Sequence, residues 1–227
     1  MKNKNLLALG IPTYVRPERA ITLIKKAISI GVYDQIIVSS NSHEKQLDDF
    51  INNLENKEIT YYQQNDNVGL ALNYAKVIRL CSCKYLHIVP DEDLINEENT
   101  KKLYSVLYYD NDYSVIFLSI KAIQGGGLYR DTSGKKNKTL KNVMGDSSHI
   151  GSSIINVGLW SKDTFSKMDD YCKREGNSYP HTAAAILSYS IKERLLYFVP
   201  HITEMGELDS KGDQSGNSCL LYTSDAA

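Results

Sequence analysis

No apolar run in the 227-residue chain approaches the length of a membrane span. Cysteine is scarce: Cys81, Cys83, Cys172 and Cys219 form no C-x-x-C pair. That spacing speaks against a zinc site and against a disulfide framework. Charge of one sign is also missing, because 26 Lys and Arg meet 27 Asp and Glu for a net of -1. Without a global basic field, nucleic acid is excluded as the expected partner. No repeat and no low-complexity tract is present. Two nucleotide-binding signatures are absent as well. Gly10-Ile11-Pro12-Thr13 stands where a dinucleotide enzyme needs G-x-G-x-x-G, and Gly125–Gly127 is an isolated run elsewhere. Gly134-Lys135-Lys136 has Tyr129 in place of the first P-loop glycine.

What remains is an ordinary globular composition, with 42% apolar and 23% charged residues. The length suits one large domain better than two. We expect a single domain over 1–218. Residues 219–227, CLLYTSDAA, resemble the translation of a sequencing adaptor, so a native C-terminus is expected to be missing. Met1–Asn5 followed by Leu6–Ile11 faintly resembles a signal peptide. Pro12 and Arg16 interrupt it and no small-residue cleavage site follows, so the segment is read as a strand and the protein as cytoplasmic.

Periodicity then gives the elements. Apolar runs predict strands at Leu6–Ile11 (stopping at Pro12), Gln35–Ser40, Ile59–Gln63, Tyr85–Val89 and Val115–Leu118. Three- and four-residue spacing predicts helices from Pro17 to Gly31, over Glu44–Leu54, Gly69–Leu80 and Asn99–Tyr109. The last buries Leu103, Val106 and Leu107. The second half reads as a strand at Ile150–Val157, helices at Lys162–Lys173 and Pro180–Tyr189, and a strand at Leu196–Val199. Between the halves, Lys121–Ser148 is long, glycine-rich and basic, the pattern of a lid or an insert. Alternating strands and helices mean β-α-β units: an α/β sandwich with a mostly parallel central sheet and helices on both faces.

In such sheets, ligands bind beyond the carboxyl ends of the strands. Four polar segments lie there: Pro12-Thr13-Tyr14-Val15-Arg16-Pro17, then Ser39-Ser40-Asn41-Ser42, then Asn65–Gly69 with Asn73 one turn on, then Asp91-Glu92-Asp93. Taken singly, each of the first three suits a turn or a cap. Three consecutive carboxylates repel one another, so the fourth asks for compensation. Hard carboxylate oxygens suit Mg or Mn, which also take phosphate and water ligands.

These four segments, in this order, resemble the family-2 glycosyltransferases of GT-A fold. The resemblance implies a sandwich that binds a nucleotide-diphosphate sugar. Pro12, Thr13, Tyr14 and Arg16 would line the donor pocket. Asn41 would stand where many relatives carry a base-contacting Asp, with the charge lost. Asn67 and Gly69 would lie near the nucleoside, and Asn73 would buttress them. Asp91 and Asp93 match the D-x-D motif. Asp91 would face ribose or sugar and share the divalent cation (Mn or Mg) with Asp93. Glu92 is the variable middle residue of the donor-binding motif.

The activity so implied is inverting, metal-dependent sugar transfer to a saccharide or lipid-linked acceptor in cell-surface polysaccharide synthesis. The enzyme would be cytoplasmic, with peripheral contact at the inner face of the membrane. Glu175 and His181 are the candidates for the catalytic base, and Asp169 and Asp170 are outsiders. His87, inside a strand, is read as a core residue. Two alternatives stay open at this point: a sugar-phosphate nucleotidyltransferase, and a non-catalytic nucleotide-sugar-binding module.

Overall fold

A computed structural model describes residues 5–54, 58–122, 128–130, 151–174 and 179–205. In the first half it alternates β1 (Leu7–Thr13), α1 (Pro17–Ile30), β2 (Gln35–Ser40), α2 (Lys45–Asn52), β3 (Ile59–Gln63), α3 (Gly69–Leu80) and β4 (Tyr85–Ile88). Then come β5 (Leu94–Ile95), α4 (Glu97–Tyr109), β6 (Val115–Ala122) and β7 (Leu128–Arg130). The last described elements are β8 (Ser153–Asn156), α5 (Lys162–Lys173), α6 (Pro180–Ile191) and β9 (Leu195–Met205).

All strands join one sheet in the order β3-β2-β1-β4-β8-β6-β9-β5, with β7 beside β6. Parallel pairing runs through β3, β2, β1 and β4 and recurs between β6 and β9. The remaining pairs are antiparallel, so the sheet is parallel where the β-α-β units lie and mixed beyond β4. Side-chain alternation splits the core into two layers. Leu7, Leu9, Ile11, Ile36 and Val38 pack with Leu23 and Ile24 of α1, Leu47 of α2, and Leu103 and Leu107 of α4. Ala8, Ile37, Leu86 and Ile155 face the other way, onto α3, Met168 and Cys172 of α5, and Ala184 of α6. Helices therefore cover both faces.

Helix boundaries follow the local chemistry. Pro17 opens α1, and Gly31 closes it with a left-handed φ of 71°. Asn96 caps α4 by accepting from the Asn99 amide at 3.0 Å. Gly10 marks the closest approach of sheet and helix, where a Cβ would stand 2.3 Å from Val77 Cγ1 of α3.

Several expectations need correcting. β1 does not stop at Pro12 but continues to Thr13. Its pairing with β4 ends at Gly10, so residue 12 owes no amide to that side. The last strand likewise runs through Pro200 as far as Met205, past a register shift against β6. The strand expected from Ile150 spans only Ser153–Asn156, after Gly151 turns with φ 84°. Val106 falls at the edge of the α4 stripe and is 36% exposed, while Thr100, Leu103 and Leu107 fill the core face. Two short strands, β5 and β7, carried no periodic signal. Most of the glycine-rich basic segment (123–127 and 131–150), Glu175 and the 219–227 tail lie outside the described residues.

Candidate donor site

The four polar segments come together at the carboxyl ends of β1, β2, β3 and β4, stitched by hydrogen bonds. β1 ends at Thr13, whose carbonyl accepts from the Asn41 amide at 2.9 Å. The Asn73 side chain, from α3, donates to Ser39 O at 3.0 Å and Thr13 O at 3.4 Å. It is 2% exposed and ties two strand ends to a helix. Asn41 Nδ2 donates to Gly69 O at 3.2 Å. Asn67 Oδ1 accepts from the Gly69 amide at 3.0 Å. Gly69 is needed for its φ of 81° rather than for space, since a Cβ there would meet nothing within 4 Å. Gln63 Nε2 reaches Ser42 O at 3.3 Å, and His43 Nε2 donates to Asn65 O at 3.2 Å.

The acidic turn follows β4. The Thr13 hydroxyl donates to Asp91 Oδ2 at 2.6 Å, across 78 residues of chain. Arg16 Nη1 lies 3.4 Å from Asp91 Oδ1 and 2.5 Å from Glu92 Oε2. Burial pushes the Asp91 carboxyl up to about 6, against the Thr13 hydrogen bond and the Arg16 charge, which pull it down. Burial also works against the Arg16 charge, but Asp91 and Glu92 outweigh it and raise the guanidinium pKa. Asp93 is 3% exposed. Pro12 is buried in β1, and Tyr14 is half-buried in the turn beyond it.

Among the described residues, no three His, Cys, Asp or Glu converge as a metal cage. The triplet divides its work: Glu92 turns to Arg16, and Asp91 is shared between Thr13 and Arg16. A Mg or Mn site needs only one or two carboxylates when phosphates and waters complete it. The hard oxygens of Asp93 and Asp91 fit that requirement.

In the second half, His181 sits at the first turn of α6. Its ring meets Tyr74 and Tyr179 edge-on, at centroid distances of 6.3 and 5.8 Å, and the residue is 5% exposed. Asp169 is taken up by Arg79, with Nε–Oδ2 at 3.1 Å. Asp170 is exposed. His87 is the core residue expected, 1% exposed and within 3.3 Å of both Gly151 O and Thr203 Oγ1. Burial lowers its pKa to about 4, opposed in part by the Gly151 carbonyl.

Sequence reasoning missed two parts of this site. Ser42 Oγ accepts the Val15 amide at 3.0 Å, and Val15 itself has a positive φ of 50°. Nothing in the sequence marks a valine for that conformation. The Arg16–Glu92 pair was hidden because both residues sat in segments read separately, although opposite charges at two neighbouring strand ends are a usable signal.

A sheet with this order, helices on both faces and an acidic turn after β4 is that of a GT-A-type glycosyltransferase. The chain belongs to glycosyl transferase family 2, whose family model matches residues 9–194. No curated protein sequence matches it. Among solved structures it resembles S. aureus TarS 1-349 at 16% identity and TM-score 0.69, over 88% of this chain and 60% of that one. TarS 1-349 in complex with UDP-GlcNAc matches at 16% identity and TM-score 0.67, over 91% and 60%. TarS itself matches at 15% and 0.66, over 89% and 37%. The chain thus spans 60% of the TarS 1-349 structures.

Proposed function

We propose that this domain transfers a sugar from a nucleotide-diphosphate donor to a saccharide or lipid-linked acceptor, with inversion, in the synthesis of a cell-surface polysaccharide. The observation that carries the reading is the joining of Thr13, Arg16, Asp91 and Glu92 at the strand ends, in a chain of this family. Asn41, Asn67, Gly69 and Asn73 shape the nucleoside side, with Pro12 and Tyr14 completing the wall. Because the TarS structures include complexes with UDP and UDP-GlcNAc, uridine donors are the first to test here.

In the transfer, the acceptor oxygen bonds to the anomeric carbon as the bond to the diphosphate oxygen breaks. The electron pair leaves on the nucleoside diphosphate, and the acceptor proton passes to a base on the acceptor side. Asp93 and Asp91 would hold the Mn or Mg, which when bound neutralises charge on the departing diphosphate. Arg16 fixes the Asp91 carboxylate from one side and Thr13 from the other, so that acid is held before the donor arrives. His181 and Glu175 are the base candidates. We take the enzyme to work in the cytoplasm, in peripheral contact with the inner face of the membrane.

Incubation with a panel of nucleotide sugars, reading free nucleoside diphosphate with and without acceptors, tests the reading. Pyrophosphate as product would mean a nucleotidyltransferase, and binding without turnover would mean a non-catalytic module. Asp93→Ala should abolish transfer while the thermal midpoint stays within a few degrees. Full turnover in excess chelator would remove the metal. His181→Ala and Glu175→Ala separate the base candidates. Loss of the base should cut kcat roughly a hundredfold or more with donor affinity little changed.

A further inference from the structure

We infer that Glu92, the middle residue of the acidic turn, is the positioning residue of the donor site, because it anchors the Arg16 guanidinium against Asp91. This rests on the donor-site reading above and gives a definite task to a position that the family motif leaves variable.

Three observations converge. The first is distance. Arg16 Nη1 is 2.5 Å from Glu92 Oε2 but 3.4 Å from Asp91 Oδ1. Asp91 is held instead by Thr13, at 2.6 Å. Glu92 is therefore the closer anchor of the cation, and Asp91 is the carboxylate that the anchored cation faces. The second is exposure. The Arg16 and Glu92 side chains are 27% and 18% exposed, so their pairing is shielded more than a surface ion pair.

The third is backbone conformation. Val15 sits at φ 50°, a region that costs a β-branched residue of order 1–3 kcal/mol. Its amide is fixed to Ser42 Oγ, and Pro17 restricts Arg16 on the other side. With Val15 strained on one side and Pro17 rigid on the other, the Arg16 backbone is preset. Glu92 then decides where the guanidinium goes. Removing the Glu92 charge leaves Arg16 facing Asp91 across the longer 3.4 Å contact, with Thr13 as the closer partner of Asp91.

The test uses the whole chain and binding of UDP, GDP, CDP and dTDP, followed by donor hydrolysis. Glu92→Gln keeps the shape and removes the charge. It should weaken the nucleoside diphosphate that binds the wild type by roughly tenfold, which is about 1.4 kcal/mol by the affinity relation. The loss should fall on Kd and KM rather than on kcat. Glu92→Asp should recover part of it. In an Arg16→Ala background, Glu92→Gln should cost no more than about twofold, since there is no cation left to place. Amide hydrogen exchange at Val15 and Arg16 in the ligand-free protein should stay at the wild-type rate in Glu92→Gln, because Ser42 and Pro17 hold that backbone and only the guanidinium is released, which separates a lost anchor from a lost fold.

A Glu92→Gln protein with wild-type affinity, or equal penalties in both backgrounds, overturns the inference and leaves the donor site standing. A wild type that binds none of the four nucleotides overturns the donor-site reading, and the inference with it.

Discussion

At the scale of single residues, this molecule places its most costly groups where several strands can share them. His87 is a plain case away from the donor turn. The folded protein holds it neutral with a pKa of about 4, against 6.5 for the free side chain. Between those values the unfolded chain takes up a proton that the folded chain refuses. The His87 contribution to stability is therefore full above pH 6.5 and is lost as pH drops toward 4, by at most roughly 3 kcal/mol, while the Asp91 carboxyl, raised to about 6, acts in the opposite sense below that pH. Urea midpoints measured from pH 7.5 to 4.5 should show this slope, and His87→Asn should flatten its upper part. An unchanged slope in the variant would locate the proton uptake elsewhere.

Among elements, those with internal periodicity were legible and those made by partners were not. α3, α5, β2 and β3 fall on the residues that their patterns predict, because an amphipathic stripe or a buried run is written in one stretch of chain. β5 is two residues long and exists through Leu94 and Ile95 pairing with Glu204 and Thr203. No local pattern can announce a strand whose cause lies a hundred residues away. The same holds for Pro12 and Pro200, which punctuate the sequence but sit where no ladder bond is owed or the register already shifts. The site divides in the same way. Asp91, Thr13 and Asn73 could be named from motif order, but the bonds that make them a site needed the sheet. At α4, Asn96 serves two masters: it caps the Asn99 amide and donates to Glu204 at 3.3 Å. Asn96→Ala should lower stability by about 1–2 kcal/mol, read as a fall in the denaturant midpoint at constant slope.

For the whole molecule, the unbroken sheet matters most. β8 joins the parallel half to the rest by pairing with β4 on one side and β6 on the other. Two core layers run along its faces, and a smaller cluster of Val115, Phe117, Ala185, Tyr189 and Leu195 packs between β6, α6 and β9. The single tryptophan, Trp160, lies in the second half, buried, with Nε1 donating to Ser188 Oγ at 2.8 Å. Its fluorescence should therefore lose the folded signal at the same denaturant concentration as far-UV circular dichroism, which reports on all the helices. Two separated midpoints would show that the halves melt independently.

The central place of β1 has a consequence for how the chain is made. All seven of its residues are buried, and it needs β2 on one flank and β4 on the other. During synthesis it leaves the ribosome well before its second neighbour, β4 at residues 85–88, is translated. β6 waits in the same way for β9, which completes its parallel edge only after residue 195. For that interval a largely apolar strand lacks its neighbours, and such segments are the ones that associate wrongly or engage holding factors. Slow translation before β4 should therefore lower the soluble yield of this protein more than slow translation after β9.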